Sequence, residues 1–332
     1  NSKYKKFMNE KTFINPEGGW QPNKKIEFDP IFVWPPRPKS FFKWLLNFPG
    51  YIWPWNLFFI AIAIICYLFI QPEFSRCVTF KLDWISIIFL RNLFLIILIA
   101  SFFHIRLHIL KSQKDEFQYN PRSLGEGKKW HLGSQTRENM FWTLFSALPI
   151  WTAYEVFLMW GYANNLFLFP VSDWVNSPFY FCLLFLLIPV WQVFHFYITH
   201  RFIHLKPLYK WVHFLHHRNV NTGPWSGLSM HPVEHIIYFS TVLIHFVIPS
   251  HPIHFIFHAQ QTALRAIQGH SGYDKLILNN NTKAGLPNAS YFHYLHHKFF
   301  ECNYGEVTIP LDRWFGSFHD GSKEYHEKLF EK

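Results

Sequence analysis

Four stretches of the chain, at about 53–70, 85–103, 141–160 and 179–199, approach the roughly 20 apolar residues that a helix needs to cross a bilayer. No other feature narrows the fold as far, and it predicts four transmembrane helices. Only 16% of the residues are charged, well under the roughly 25% usual in soluble domains, and 50% are hydrophobic. The 39 Phe, 15 Trp and 15 Tyr suit spans and their interfaces. Disorder, collagen and a simple soluble globule are excluded.

The basic residues test that reading independently. Nine Lys or Arg precede the first span and seven lie in 104–140, whereas the alternate segments carry only Arg76 and Lys81, or none in 161–178. By the positive-inside rule the N-terminus, the 104–140 loop and everything after Thr199 share one face. The net charge of +10 is spread among apolar runs, as suits an anionic leaflet and not nucleic acid. A fifth apolar region, Ile236 to Phe257, is broken by Pro249 and Pro252 and is short for two crossings, so a re-entrant helical hairpin is expected. Arg91 and Glu155, within the spans, are expected to pair or to sit at an interface.

The expected fold is therefore an all-α integral membrane protein. About four transmembrane helices and a re-entrant hairpin carry a histidine-rich helical cap on one membrane face. Residues 1–50 form a basic, Pro-rich arm, 51–140 the first two spans and a basic loop, and 141–332 the histidine-bearing domain. The chain begins with Asn1 instead of Met, which suits the loss of a targeting segment. Cys66, Cys77, Cys182 and Cys302 stand far apart, without metal-site or disulfide-scaffold spacing.

Of the 21 histidines, 18 fall at or after His195, and they cluster. His200 and His204 stand four apart, on one helical face. His213, His216 and His217 follow, and His293, His296 and His297 repeat their spacing in a matching surround. His231 and His270 stand between the two triplets. Gathering so many imidazoles beside a membrane without a metal leaves many polar groups to satisfy. They are also too many for one tetrahedral zinc, so two metals sharing eight to ten nitrogens fit the count. HExxH is absent, as are the Glu-x-x-His repeats of carboxylate di-iron bundles. His104 and His108 could be offered to a haem, but that leaves the triplets unexplained. Imidazole suits iron, zinc and copper alike.

The order His200-Arg-Phe-Ile-His204, His213-x-x-His216-His217, His231-Pro-Val-Glu234, His270-Ser-Gly-Tyr273 and His293-x-x-His296-His297 resembles the fatty acid hydroxylase superfamily over roughly 140–320. That superfamily includes sterol desaturases, sterol C4-methyl oxidases and alkylglycerol monooxygenase. The resemblance implies a membrane di-iron oxygenase that uses O2 to hydroxylate or desaturate a lipid. Two iron ions, exchangeable for zinc on isolation, would be held by His200, His204, His213, His216, His217, His293, His296 and His297, with His270 as a ninth ligand. His231 is a further candidate, with loop ordering as its other role, and His195 is placed behind the ligands. His235, His245, His251, His254 and His258 are assigned to the hairpin. Glu234, Asp274, Glu301 and Asn303 are candidates to orient imidazole N–H groups, or to serve as caps and turns.

Ala266, four residues before His270, leaves no HxxxH pair there, which matches the sterol-oxidase side of the superfamily. No His-Pro-Gly-Gly signature of a fused cytochrome b5 appears, so electrons are expected from a separate donor such as cytochrome b5 and a reductase. The endoplasmic reticulum is the location the resemblance implies, with the inner mitochondrial membrane as the alternative. A second functional class stands beside the enzyme: an accessory subunit of a larger membrane complex that keeps the oxygenase fold.

Overall fold

The computed structural model describes residues 18–330; residues 1–17 of the expected arm lie outside the described residues. A short helix, α1 (Pro38–Leu46), precedes four helices long and apolar enough to cross a membrane. These are α2 (Ile52–Phe69), α3 (Leu82–Ile109), α4 (Gln135–Ala163) and α5 (Pro178–Ile203). Each matches one of the expected spans, but α2 ends one residue short of 70, α3 runs on past residue 103 and α4 starts before 141. The added turns are polar, and they continue as helix because their side chains find partners in the cap. Arg106 Nη2 donates to the Ile277 carbonyl at 2.7 Å, His108 Nε2 meets the Ser271 carbonyl at 2.9 Å, and Glu138 pairs with Arg218.

The outer faces of the spans stay apolar; Leu90, Phe94, Ile97 and Leu98 of α3 are all exposed, as a lipid-facing surface requires. Arg91 and Glu155 pair across α3 and α4. Gln71 and Asn92 accept further hydrogen bonds from the guanidinium, and Trp151 Nε1 donates to the carboxylate at 2.9 Å. Each charge thus leaves water with several partners, the condition under which a buried pair persists.

After α5 the chain turns through a helical run, α6 (206–217), into α7 (Pro232–Phe239), a tight turn of helix over Ser240–Phe246, and α8 (Pro252–Gly269). The expected hairpin is present, with Pro249 and Pro252 at its bend, and its return arm extends to Gly269. Every residue from Pro252 to Leu264 is buried, and α8 packs on α2, α3, α4 and α5. Fully buried Trp84, Trp151, Phe239, Phe255 and Phe257 fill the space around it. Gly227 sits where the 224–228 segment crosses α8, and a Cβ there would lie 2.2 Å from the Ala266 carbonyl oxygen.

The cap is completed by α9 (Tyr291–Phe299) and two short C-terminal helices. Among the described residues, the departure from helix is one antiparallel hairpin, β1 (Lys275–Asn279) with β2 (Ala284–Pro287). Leu276 and Ile277 are buried on it, and the Asn279 side chain accepts from the Asn281 N–H to form the turn. The described part of the arm lies along the cap: Ile26 N–H donates to the Asp320 carbonyl and Asp29 N–H to Val307. It then reaches α5, where the Tyr51 hydroxyl donates to the Leu186 carbonyl at 2.6 Å.

Candidate metal centre

Nine of the ten histidines expected as ligands converge in two adjacent groups. His200, His204, His213, His217 and His296 form the first, and His216, His270, His293 and His297 the second. Within each group the ligand nitrogens lie within 4.8 Å of one another, and all these rings are buried except His204 and His293, which are partly so.

The division follows helix geometry. Residues four apart differ by about 40° around the axis, whereas neighbours differ by about 100°. His200 and His204 on the last turns of α5, and His213 and His217 on α6, are such four-apart pairs, and both enter the first group. His216 is turned away from His217 and enters the second. On α9 the arrangement is inverted: His293 and His297 belong to the second group and His296 to the first. Each triplet thereby serves both centres.

The ring orientations show what these groups lack. His200 Nδ1 lies 2.6 Å from the Tyr304 carbonyl, His296 Nδ1 2.7 Å from that of Cys302, His270 Nδ1 2.8 Å from that of Ala266, and His216 Nδ1 3.3 Å from that of Ser229. A carbonyl only accepts, so Nδ1 carries the proton in each ring and Nε2 presents a bare lone pair. These lone pairs point at other imidazole nitrogens. His200 and His213 Nε2 are 3.1 Å apart, as are those of His217 and His296. His270, His293 and His297 form a triangle with sides of 3.0, 3.1 and 3.1 Å.

Protons do not resolve this crowding. Burial pushes His213, His216, His217, His296 and His297 well below the ordinary imidazole value, His270 to about 4 and His204 to about 2. The rings outside the spans are thus neutral donors at neutral pH. Each group is an arrangement of neutral nitrogens that could hold a metal ion, and the all-imidazole set is compatible with iron.

His231 is not brought into either group. Pro232 starts α7 and leaves the helix's first N–H groups without partners, and His231 Nδ1 accepts the Val233 N–H at 3.2 Å as its cap. Glu234, three residues on, reaches the centre instead, 2.7 Å from His213 Nδ1. His195 pairs with Ser240 Oγ at 3.0 Å. Asp274 accepts from the Tyr119 hydroxyl, and Asn303 ties the chain at Phe292 and His319, so neither orients a ligand ring; Glu301 donates its N–H to the Phe299 carbonyl. The ring-orienting role falls mostly to main-chain carbonyls, which have no side-chain signature.

A cavity of about 440 Å³ opens against both groups. His200 and His213 of the first and His216, His270 and His293 of the second line it, and it continues between Pro189, Val193 and Phe196 of α5 and the facing residues of α8. Aromatic residues from the arm and the start of α2, Trp44, Tyr51 and Trp55, line it as well. Nothing in the sequence signals that residues of the arm line the site.

Residues 185–317 match the family model described as fatty acid hydroxylase. The chain is 30% identical over 137 residues to a Delta(7)-sterol-C5(6)-desaturase of Nicotiana tabacum, covering 40% of this chain and 48% of that protein. It is 34% identical over 126 residues to a putative Delta(7)-sterol-C5(6)-desaturase 2 of Arabidopsis thaliana (36% and 43% covered). To the Delta(7)-sterol 5(6)-desaturase of Saccharomyces cerevisiae it is 28% identical over 123 residues (37% and 32%). The chain spans less than half the length of these curated relatives. No solved structure matches significantly. These findings support the superfamily that the histidine motifs resemble.

Proposed function

We propose, on the fatty acid hydroxylase match of residues 185–317, that this integral membrane protein is a non-haem di-iron oxygenase. It would desaturate or hydroxylate a lipid, and the names of its relatives point to sterols as the class. The observation that carries the reading is the cavity. Its volume, about 440 Å³, is in the usual range for a small-molecule site, and histidines of both groups form part of its wall.

Iron held by the two histidine groups would supply the activation of dioxygen needed to take hydrogen from an unactivated C–H bond. In a desaturation the substrate gives up two hydrogens with their two electrons. Two further electrons and two protons, from a separate donor, complete the reduction of dioxygen to two waters. A redox protein such as cytochrome b5 with its reductase fits that role, and the endoplasmic reticulum fits the location.

The chain's own residues do the positioning. The carbonyls of Tyr304, Cys302, Ala266 and Ser229 hold four rings with Nε2 facing inward, and Glu234 holds a fifth, His213. Pro189, Val193 and Phe196 present an apolar wall that aligns a lipid against His200 and His293 and keeps water out.

The test is metal per chain by mass spectrometry together with lipid product analysis, on wild type and on His216→Ala with His217→Ala. The reading expects about two irons per chain, and loss of lipid oxidation in the variant with assembly intact. Unchanged oxidation would overturn it, and loss of assembly of a host complex with no lipid product from wild type would favour the accessory-subunit alternative.

A further inference from the structure

The cavity has a second polar region, away from the imidazoles. Arg265 lies on α8 five residues before His270, about 7.5 Å along the helix axis. Its Nη2 donates to Glu306 Oε2 at 2.7 Å, and both side chains line the cavity with 36% and 31% of their surface accessible. Asp29, from the arm, stands in the same wall, accepting from the Thr308 hydroxyl at 3.0 Å and from Trp44.

Two buried amides add to this set. Asn56 gives its Nδ2 hydrogen to the Tyr51 carbonyl at 2.7 Å, which leaves Oδ1 without a partner, and Gln261 Oε1 is also unpaired. The residues are 3% and 1% exposed, and both line the cavity. Buried polar atoms without partners are uncommon, and Gln268 Oε1 and Asn288 Oδ1, also unpartnered, belong to residues of the same cavity wall.

The chemistry of this wall selects among lipid head groups. One guanidinium is already balanced by Glu306, and the same cavity wall carries the carboxylate of Asp29 and the unpartnered amide oxygens of Asn56, Gln261, Gln268 and Asn288, so acceptors are in excess. A fatty carboxylate or a phosphate would face these lone pairs with no free cation to meet it, and an ammonium would be opposed by the guanidinium of Arg265. A neutral hydroxyl meets both demands, donating to Asp29 or an amide oxygen and accepting from Arg265. We infer that Asp29 and Asn56 of the arm side, with Gln261, Arg265 and Glu306, form a subsite that binds the hydroxyl of an amphipathic lipid and sets which of its carbons reaches the histidine groups. The arm lies outside the 185–317 match, so on this inference a segment beyond the catalytic domain helps to determine specificity. The inference rests on the lipid-oxidase reading and goes beyond it by assigning the head-group contacts.

The experiment uses the full chain with its metal, in nanodiscs, and measures binding by tryptophan fluorescence. The probes are a Δ7-3β-hydroxysterol, its 3-methyl ether, and a fatty acid and a long-chain amine of similar length. The ether keeps the acceptor oxygen and loses only the donor. Wild type should bind the hydroxysterol about tenfold or more tighter than the ether, the weight of one hydrogen bond to a charged group. Asp29→Ala should bring that ratio to within about threefold with ether affinity retained, whereas the double variant Arg265→Leu with Glu306→Leu, which removes the donor to the oxygen both probes carry, should weaken alcohol and ether alike; metal content and melting temperature should be retained in both. Removing both members of the ion pair together avoids stranding a charge, so the double variant is expected to fold.

Equal binding of alcohol and ether by wild type would overturn the subsite and leave the oxidase reading intact. So would an unchanged ratio in Asp29→Ala, unchanged affinity for both probes in the double variant, or preference for the acid or the amine. Binding of no sterol at all by metal-loaded wild type would overturn the sterol class and the subsite together.

Discussion

The hairpin and the cap each bury a set of histidines, and their partners differ. In the hairpin, His245 Nε2 meets His258 Nδ1 at 3.2 Å, His245 Nδ1 meets Ser250 Oγ at 3.0 Å, and His258 Nε2 meets Thr241 Oγ1 at 3.1 Å. The Ser250 hydroxyl is in turn 2.8 Å from that of Tyr162. Hydroxyls both donate and accept, so every nitrogen in that chain can be satisfied by protein. In the cap, carbonyls take the Nδ1 protons and the Nε2 atoms are left facing one another. Both sites are buried and rich in imidazole, and the partner on the far ring nitrogen separates a hydrogen-bonded core from two groups of facing lone pairs that could hold metal.

The sharpest way to break this comparison is to delete a pair from each region. His217→Ala with His297→Ala should abolish stoichiometric metal binding, whereas His245→Ala with His258→Ala should leave metal per chain unchanged and lower stability by a few kcal/mol. Elemental analysis beside thermal melts reads both, and loss of metal in the hairpin variant would erase the distinction.

A smaller effect is expected at Glu234. Glu234→Gln keeps the side chain's size but weakens its hold on His213 Nδ1, so metal affinity should fall about 10- to 100-fold, measured by competition with a chelator. An unchanged affinity would mean that the ring is held by packing alone.

The smallest effect belongs to His231. His231→Ala removes a helix cap and should cost about 0.5–2 kcal/mol in a denaturation experiment, with metal content retained. Loss of a metal would return His231 to the ligand set.

These contrasts also mark how far the residues speak for themselves. The spans were legible because a run of apolar residues long enough to cross a bilayer has few other uses, yet their ends were not. The extra turns of α3 and α4 depend on Arg106 and Glu138 meeting residues more than 75 positions away. The triplets were legible as donors, since His-x-x-His-His puts three rings on nearby faces of one turn. Their division between two groups, with His216 and His296 each crossing to the other centre, required knowing how α5, α6 and α9 approach.

His231 shows the opposite limit, because in sequence it is one more histidine among many. Only the start of α7 at Pro232 decided that its ring caps a helix while Glu234 faces the centre. The arm was legible only as basic and Pro-rich, and its part in the cavity wall arises from where residues such as Asp29 and Trp44 come to lie.

What the sequence determined by itself was local: apolar length, charge bias, and the angle at which each imidazole leaves its helix, all fixed by bonds and by 3.6 residues per turn. What the tertiary structure decided was which lone pairs meet, which carbonyl holds each ring, and what chamber they border. Those depend on groups common to every residue, brought together by packing, and no residue type announces them in advance.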